Sequence, residues 1–138
     1  MAVKISTAAR NDSCNAVVDR IDNGSTNSAG HIEIRTAPRP DTPQTAASGT
    51  LLATLNFSNP AFQAAVNGVT NVNTVADDSD IDATGIAGWF RFYDRDGNAV
   101  IDGTITTIGG GGDLEFNNVQ FVKEGIAQIH DFSVTMPE

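Results

Sequence analysis

The chain has 138 residues, one cysteine and a formal net charge of −9, from 17 acidic and 8 basic side chains. That length suits one domain with its own core, and one thiol excludes an internal disulfide framework. One thiol and two histidines make no metal site without carboxylate help, and the acidic surplus disfavours a nucleic-acid groove or an anionic membrane. Met1-Ala2-Val3-Lys4-Ile5-Ser6 lacks the apolar run of a secretory signal, and no stretch reaches the ~18 consecutive apolar residues of a membrane helix. A soluble chain made in the cytoplasm is the expectation, with the acidic charge serving solubility and repulsion between copies.

The first element is a helix over about residues 6–22. Ser6 or Thr7 caps its start, Cys14, Val17, Val18 and Ile21 recur at the spacing of a buried stripe, and Asn23-Gly24 ends it. Ala8, Ala9 and Ala16 suit close packing on a sheet, with Arg10, Asp12, Asp19 and Arg20 turned to water. Cys14 reads as a small core residue, not a nucleophile. Ser25 to Gly30 is a polar connector, and residues 31–36 alternate as a strand with Ile32 and Ile34 inward. Pro38, Pro40 and Pro43 cannot donate to a sheet ladder, so residues 37–49 form a long surface loop, either contact-bearing or a mobile tether. Leu51, Ala53, Leu55 and Phe57 share one face of the next strand, which stops at Ser58-Asn59-Pro60; Phe62 plugs the core beyond it. A weaker strand candidate over 69–75 precedes the acidic run Asp77, Asp78, Asp80 and Asp82.

The central stretch, 89–105, reads as a β-hairpin around Asp96-Gly97, a pair suited to the two positive-φ positions of a type I′ turn. The register then sets Tyr93 opposite Val100, Phe92 opposite Ile101, Arg91 opposite Asp102 and Phe90 opposite Gly103. Phe90, Phe92, Ile101 and Ile105 make a core face. Trp89, Arg91, Tyr93, Val100 and Asp102 make a mixed face with one opposed ion pair. Trp89 and Tyr93 are candidate interface anchors, although cover by the helix is the favoured reading. Gly109 to Gly112 is a flexible loop, short strands follow around 114–116 and 119–122, and a long final strand spans 126–136. Ala127 and Ile129 keep one parity there, while Phe132, Val134 and Met136 keep the other, so a β-bulge is expected near His130-Asp131. Short strands punctuated by turns, with one helix in front, indicate a mainly β fold: a β-sandwich or partly closed β-barrel with the helix packed against it.

Catalytic chemistry is not written in these residues. Asp94-x-Asp96-Gly97 resembles part of a calcium loop, but Phe92 and Gly103 stand where further ligands belong. The run 77–82 reads first as a solvated acidic loop, with calcium as the alternative. His31 and His130 lie on different strands, and no nucleophile elbow precedes a helix, so a non-enzyme without cofactor or metal is expected. The glycine run lacks the Lys-Ser/Thr of a phosphate loop.

Several blocks carry a resemblance through nearly the whole chain: Ile5-Ser6-Thr7-Ala8-Ala9-Arg10-Asn11, Asn15-Ala16-Val17-Val18-Asp19, Ile32-Glu33-Ile34-Arg35-Thr36, Gly49-Thr50-Leu51-Leu52-Ala53-Thr54-Leu55 with Pro60-Ala61-Phe62, and Trp89-Phe90-Arg91 with Asp96-Gly97 and Asp102-Gly103. They resemble small proteins of the head-gene region of tailed bacteriophages, and among these the capsid decoration, or cement, proteins. The 25–30 connector and the four-glycine loop look longer than that pattern. The resemblance implies a virion protein on the capsid surface that binds the major capsid protein, acts as a dimer or trimer and performs no chemistry. Its implied contact residues are Trp89 and Tyr93, or Pro38, Arg39 and Pro40 of the proline loop. A tail tube or terminator protein is the runner-up, and a carbohydrate-binding adhesin module is a third reading that requires an exposed aromatic platform.

Overall fold

The computed structural model describes residues 3–138. Helix α1, Thr7–Val18, starts where the Ser6 hydroxyl accepts from the Ala9 N–H at 3.1 Å, satisfying one of the amides left free at a helix start. The chain then tightens into a 3-10 turn, Asp19–Asp22, so the single helix expected to residue 22 is two pieces. Cys14, Val18 and Ile21 are buried as the stripe requires, with Val17 half-buried. The small-residue reading fails: Ala8, Ala9 and Ala16 face solvent. Arg10 turns inward instead of outward, donating to the Met136 carbonyl at 2.9 and 3.2 Å. Beside it the Asn11 and Asn15 carboxamides accept from the N–H groups of Gly68 and Ala65 at 2.7 and 2.8 Å. The helix face that packs is therefore partly polar, because the backbone it meets needs partners.

The strands are β1 (His31–Thr36), β2 (Leu51–Asn56), β3 (Val69–Asn71), β4 (Gly85–Tyr93), β5 (Ala99–Thr107), β6 (Leu114–Phe116), β7 (Gln120–Phe121) and β8 (Ser133–Thr135). The main sheet runs β2-β1-β4-β5-β6, with β7 beside the start of β4; β3 and β8 form a separate ribbon. The fold is mainly β, a sheet curled into a half-barrel with one N-terminal helix packed with it. α1 lies on the β3–β8 ribbon.

In the hairpin, Phe90 pairs with Gly103, Arg91 with Asp102 and Phe92 with Ile101 as read from the sequence. Tyr93 pairs with Ala99 instead of Val100, which leaves Val100 as an extra, bulged residue. The turn explains the slip. Asp94 N–H donates to the Asn98 carbonyl and Gly97 N–H to the Asp94 carbonyl, and only Gly97, at φ 84°, has a positive φ in this turn. That is a type I turn closed by a left-handed glycine, which adds a loop residue relative to type I′. The Asp94 carboxylate selects it by accepting from the N–H groups of Asp96 and Asn98, both at 2.9 Å.

A second slip lies in β2. Ile34 pairs with Ala53 and Arg35 with Leu51, so Leu52 bulges and is fully buried while Leu51 is half-buried. The core gathers Phe57, Phe62, Phe90, Phe92 and Phe132, with ring centroids 4.9–6.3 Å apart. Offset and edge contacts of this kind add about 0.5–1.5 kcal/mol per pair beyond area burial.

The C-terminal part departs most from expectation. β6 pairs with β5 in parallel, Ile105 opposite Leu114, across a connection of only residues 108–113. Such a short return needs backbone freedom that Gly109 and Gly111 supply, at φ 87° and 83°. The loop is tied rather than flexible: the Glu115 carboxylate accepts from the N–H groups of Gly109 and Gly111, and Thr106 Oγ1 from that of Gly112. The expected long final strand is only Ser133–Thr135. Its parity switch is present, since Ala127 and Ile129 are buried, His130 and Asp131 are both exposed, and Phe132, Val134 and Met136 are half-buried. The switch marks passage from the isolated bridge of Ala127 with Asp78 to the β3–β8 ribbon, not a bulge within one strand.

Candidate functional site

Side chains alternate across a strand, so β4 sends Phe90 and Phe92 to the core and Trp89, Arg91 and Tyr93 outward. His31, Glu33 and Arg35 of β1 stand opposite Tyr93, Arg91 and Trp89, and Asp102 of β5 stands opposite Arg91. This outer face is covered, but not by the helix as favoured from the sequence. Residues 37–50 fold back over it.

Arg91 is the staple. Its Nε and Nη2 meet the Asp102 carboxylate at 2.6 and 2.8 Å, and its remaining N–H groups reach the Thr45 and Thr42 carbonyls at 2.8 and 3.4 Å. Its guanidinium carbon lies 5.2 Å from the Trp89 ring centre. The Trp89 indole N–H donates to the Thr36 carbonyl at 3.0 Å, and the residue is 1% exposed. At the loop's base, Thr36 N–H donates to the Thr50 carbonyl and Thr50 N–H to Thr36 Oγ1. The pairing skips Gly88, and a Cβ there would come within 2.7 Å of the Ala37 nitrogen, so glycine admits the loop's first residue. Ser48 Oγ donates to the Pro38 carbonyl at 2.6 Å across the loop.

The five residues read as contacts thus divide. Trp89 is spent inside the chain, Pro38 and Arg39 are exposed on the loop, and Pro40 is half-buried. Tyr93 is half-buried and stacked on His31, ring centres 4.7 Å apart at 11°. Glu33 sits between His31 and Arg35, at 3.5 and 2.8 Å, and accepts from the Tyr93 hydroxyl at 3.4 Å. The His31 imidazole first, then the Arg35 guanidinium, hold the Glu33 carboxyl below the usual carboxylate range against its desolvation. Burial, then the Glu33 charge, pushes the Tyr93 phenol up. Each charged group here is engaged by a neighbour, so the face is cross-linked by Glu33 on one side and Asp102 on the other.

Other candidates resolve into structural roles. Cys14 is fully buried with its thiol donating to the Val134 carbonyl, and burial pushes its pKa up. Asp96 accepts from the N–H groups of Ser25 and Thr26 and so ties the 25–30 connector to the hairpin. Asp78 accepts from the N–H groups of Thr54 and Asp80 and braces β2, and no group of three metal-binding side chains is found among the described residues. Neither Trp89, Tyr93 nor any phenylalanine is exposed, so the platform an adhesin module requires is missing among the described residues.

The sequence reading missed an open hollow of mixed lining at the β6 edge, about 410 Å³, in which Ile108, Phe116, Ile126 and Ile129 stand beside Glu115, Gln128 and Asp131. Ile108 and Ile126 are 65% and 64% exposed. The available signal was two isoleucines, each beside a glycine and outside any strand's alternation. Comparison with known families, curated proteins and solved structures finds no match.

Proposed function

We propose that this chain is a capsid decoration protein of tailed bacteriophages, a non-enzyme that binds the outside of the assembled head and stabilises contacts between major capsid protein subunits. The observation that carries the reading is the stapled proline loop. It presents Pro38 and Arg39 outward on a base locked by Arg91 and Trp89, and a loop ordered before binding loses little conformational entropy on docking. The blocks that resemble phage head proteins support the same reading, since Trp89-Phe90-Arg91 and Gly49-Thr50-Leu51 contain the strand that staples this loop and the chain that leaves it. A cement protein works by spanning seams: each copy that touches two subunits gains from effective concentration, and shell expansion must break its contacts.

The test is co-sedimentation of the purified chain with mature shells lacking it and with unexpanded shells. Saturable binding tied to shell symmetry, with raised heat resistance of the shell, supports the role; no binding to either shell removes it. A tail tube or terminator protein is the second reading, favoured by the open edge at β6, because a repeated head-to-tail edge contact generates a ring where the rotation closes and a filament where it does not. Polymers or rings in solution, without shell binding, would move that reading first.

A further inference from the structure

We infer that the hollow beside β6 is a slot for an added β-strand, and that its occupant is the Val3-Lys4-Ile5 segment of a second copy of this chain. This specifies the dimer or trimer that the resemblance to decoration proteins implies and rests on the proposed function only for its use on a shell.

Two unpaired backbone edges border the slot. On one wall the Phe116 carbonyl accepts from Ile108 N–H, toward β5, so by strand alternation the peptide groups of Glu115 point away from β5. On the other wall the chain is paired at Ala127, with Asp78, and again at Phe132, with Val72. Between them the peptide groups of Gln128 to Asp131 have no hydrogen-bond partner among the described residues. A half-barrel with edges of this kind is completed by one more strand, the mode in which extended segments add to sheets.

The occupant follows from pattern and charge. Leu114 and Ile129 are buried in the slot's floor, while Glu115 and Asp131 stand along it. Val3 and Ile5 are 76% and 43% exposed just ahead of the helix, too apolar to favour water and two residues apart, as one face of a strand requires. Lys4 between them is a cation for an acidic rim. Copies carrying a net charge of −9 repel one another, so association needs such a local opposite pair.

The experiment compares the wild-type chain with a Val3→Asp, Ile5→Asp variant, both sites being exposed, by analytical ultracentrifugation and amide hydrogen exchange across concentrations. Concentration-dependent association is expected for the wild type, with exchange at 128–131 slowed about tenfold or more in the associated state, and both effects are lost in the variant. A wild type monomeric at high concentration, or an oligomer with unchanged exchange at 128–131, overturns the inference; so does association that survives both substitutions. Protection of 128–131 that arises only on shells would give the slot to a capsid segment and equally overturn self-pairing. Shell binding with segment-independent oligomers sinks the slot alone, whereas segment-dependent oligomers that ignore shells sink the decoration role alone.

Discussion

Replacing Arg91 with methionine tests the staple, because one guanidinium holds both the buried Asp102 and the proline loop. The two side chains are 3% and 5% exposed, so Arg91→Met leaves a carboxylate buried without its partner. Breaking a buried pair from one side costs about 3–5 kcal/mol. In a chain of this length that lowers the melting temperature by roughly 10–20 °C. Arg91→Met with Asp102→Leu removes the stranded charge as well, and the remaining loss is the hydrogen bonds to the Thr42 and Thr45 carbonyls, about 1 kcal/mol each. Urea unfolding of the wild type, both single variants and the double variant separates these quantities as a cycle. Hydrogen exchange over 37–49 adds the local readout: it accelerates in every variant lacking Arg91, including the stable double variant. The reasoning is refuted if Arg91→Met costs under about 1 kcal/mol, the low end for a single hydrogen bond, or if loop exchange is unchanged.

Gly103→Ala sets a methyl into the Phe90 ring, which lies over that glycine; a loss of about 1–3 kcal/mol in urea unfolding is expected. Glu33 has its folded pKa below its unfolded value, so its contribution is full above the unfolded pKa and is lost as pH falls through the folded one. Stability curves of the wild type and Glu33→Gln should therefore converge on acidification below about pH 4, and a constant gap would remove the assignment. Cys14, fully buried with a raised pKa, should react with a thiol reagent only at the rate of unfolding or local opening, and fast labelling of the native chain would contradict its burial.

Local pattern made much of the fold legible. The Ser6 cap, the Ile32/Ile34 alternation and the Phe90, Arg91 and Phe92 pairings depend on residues close in sequence or joined by one turn. The errors arose where a partner was distant. Arg10 turns inward because Met136, at the other end of the chain, offers a carbonyl, and no helical periodicity contains that fact. Tyr93 slipped because the Asp94 side chain competes for the turn amides and shifts the loop from two residues to three. The parallel β5–β6 pair was hidden because four glycines look like slack until the Glu115 carboxylate and Thr106 hydroxyl are seen to fasten them. The candidate site divided along the same line. Proline spacing exposed the loop at once, but what it covers depended on Arg91 reaching two carbonyls more than forty residues away.

The two surfaces have different consequences for assembly. The stapled loop is complete within one copy, so its contact with a partner has whatever strength Pro38, Arg39 and their surroundings supply. The slot, as we infer it, is incomplete within one copy, since among the described residues the peptide groups of 128–131 have no partner. A molecule that self-associates through the slot therefore presents several stapled loops in a fixed arrangement. Linked weak contacts of that kind strengthen one another by about 10²–10⁴ when the geometry allows simultaneous engagement. The Val3→Asp, Ile5→Asp variant should then lose shell occupancy far out of proportion to any contact those residues make with the shell, while Arg91→Met should loosen the loop without changing self-association. Separable effects of that form distinguish a bridging protein from one that adheres through a single patch.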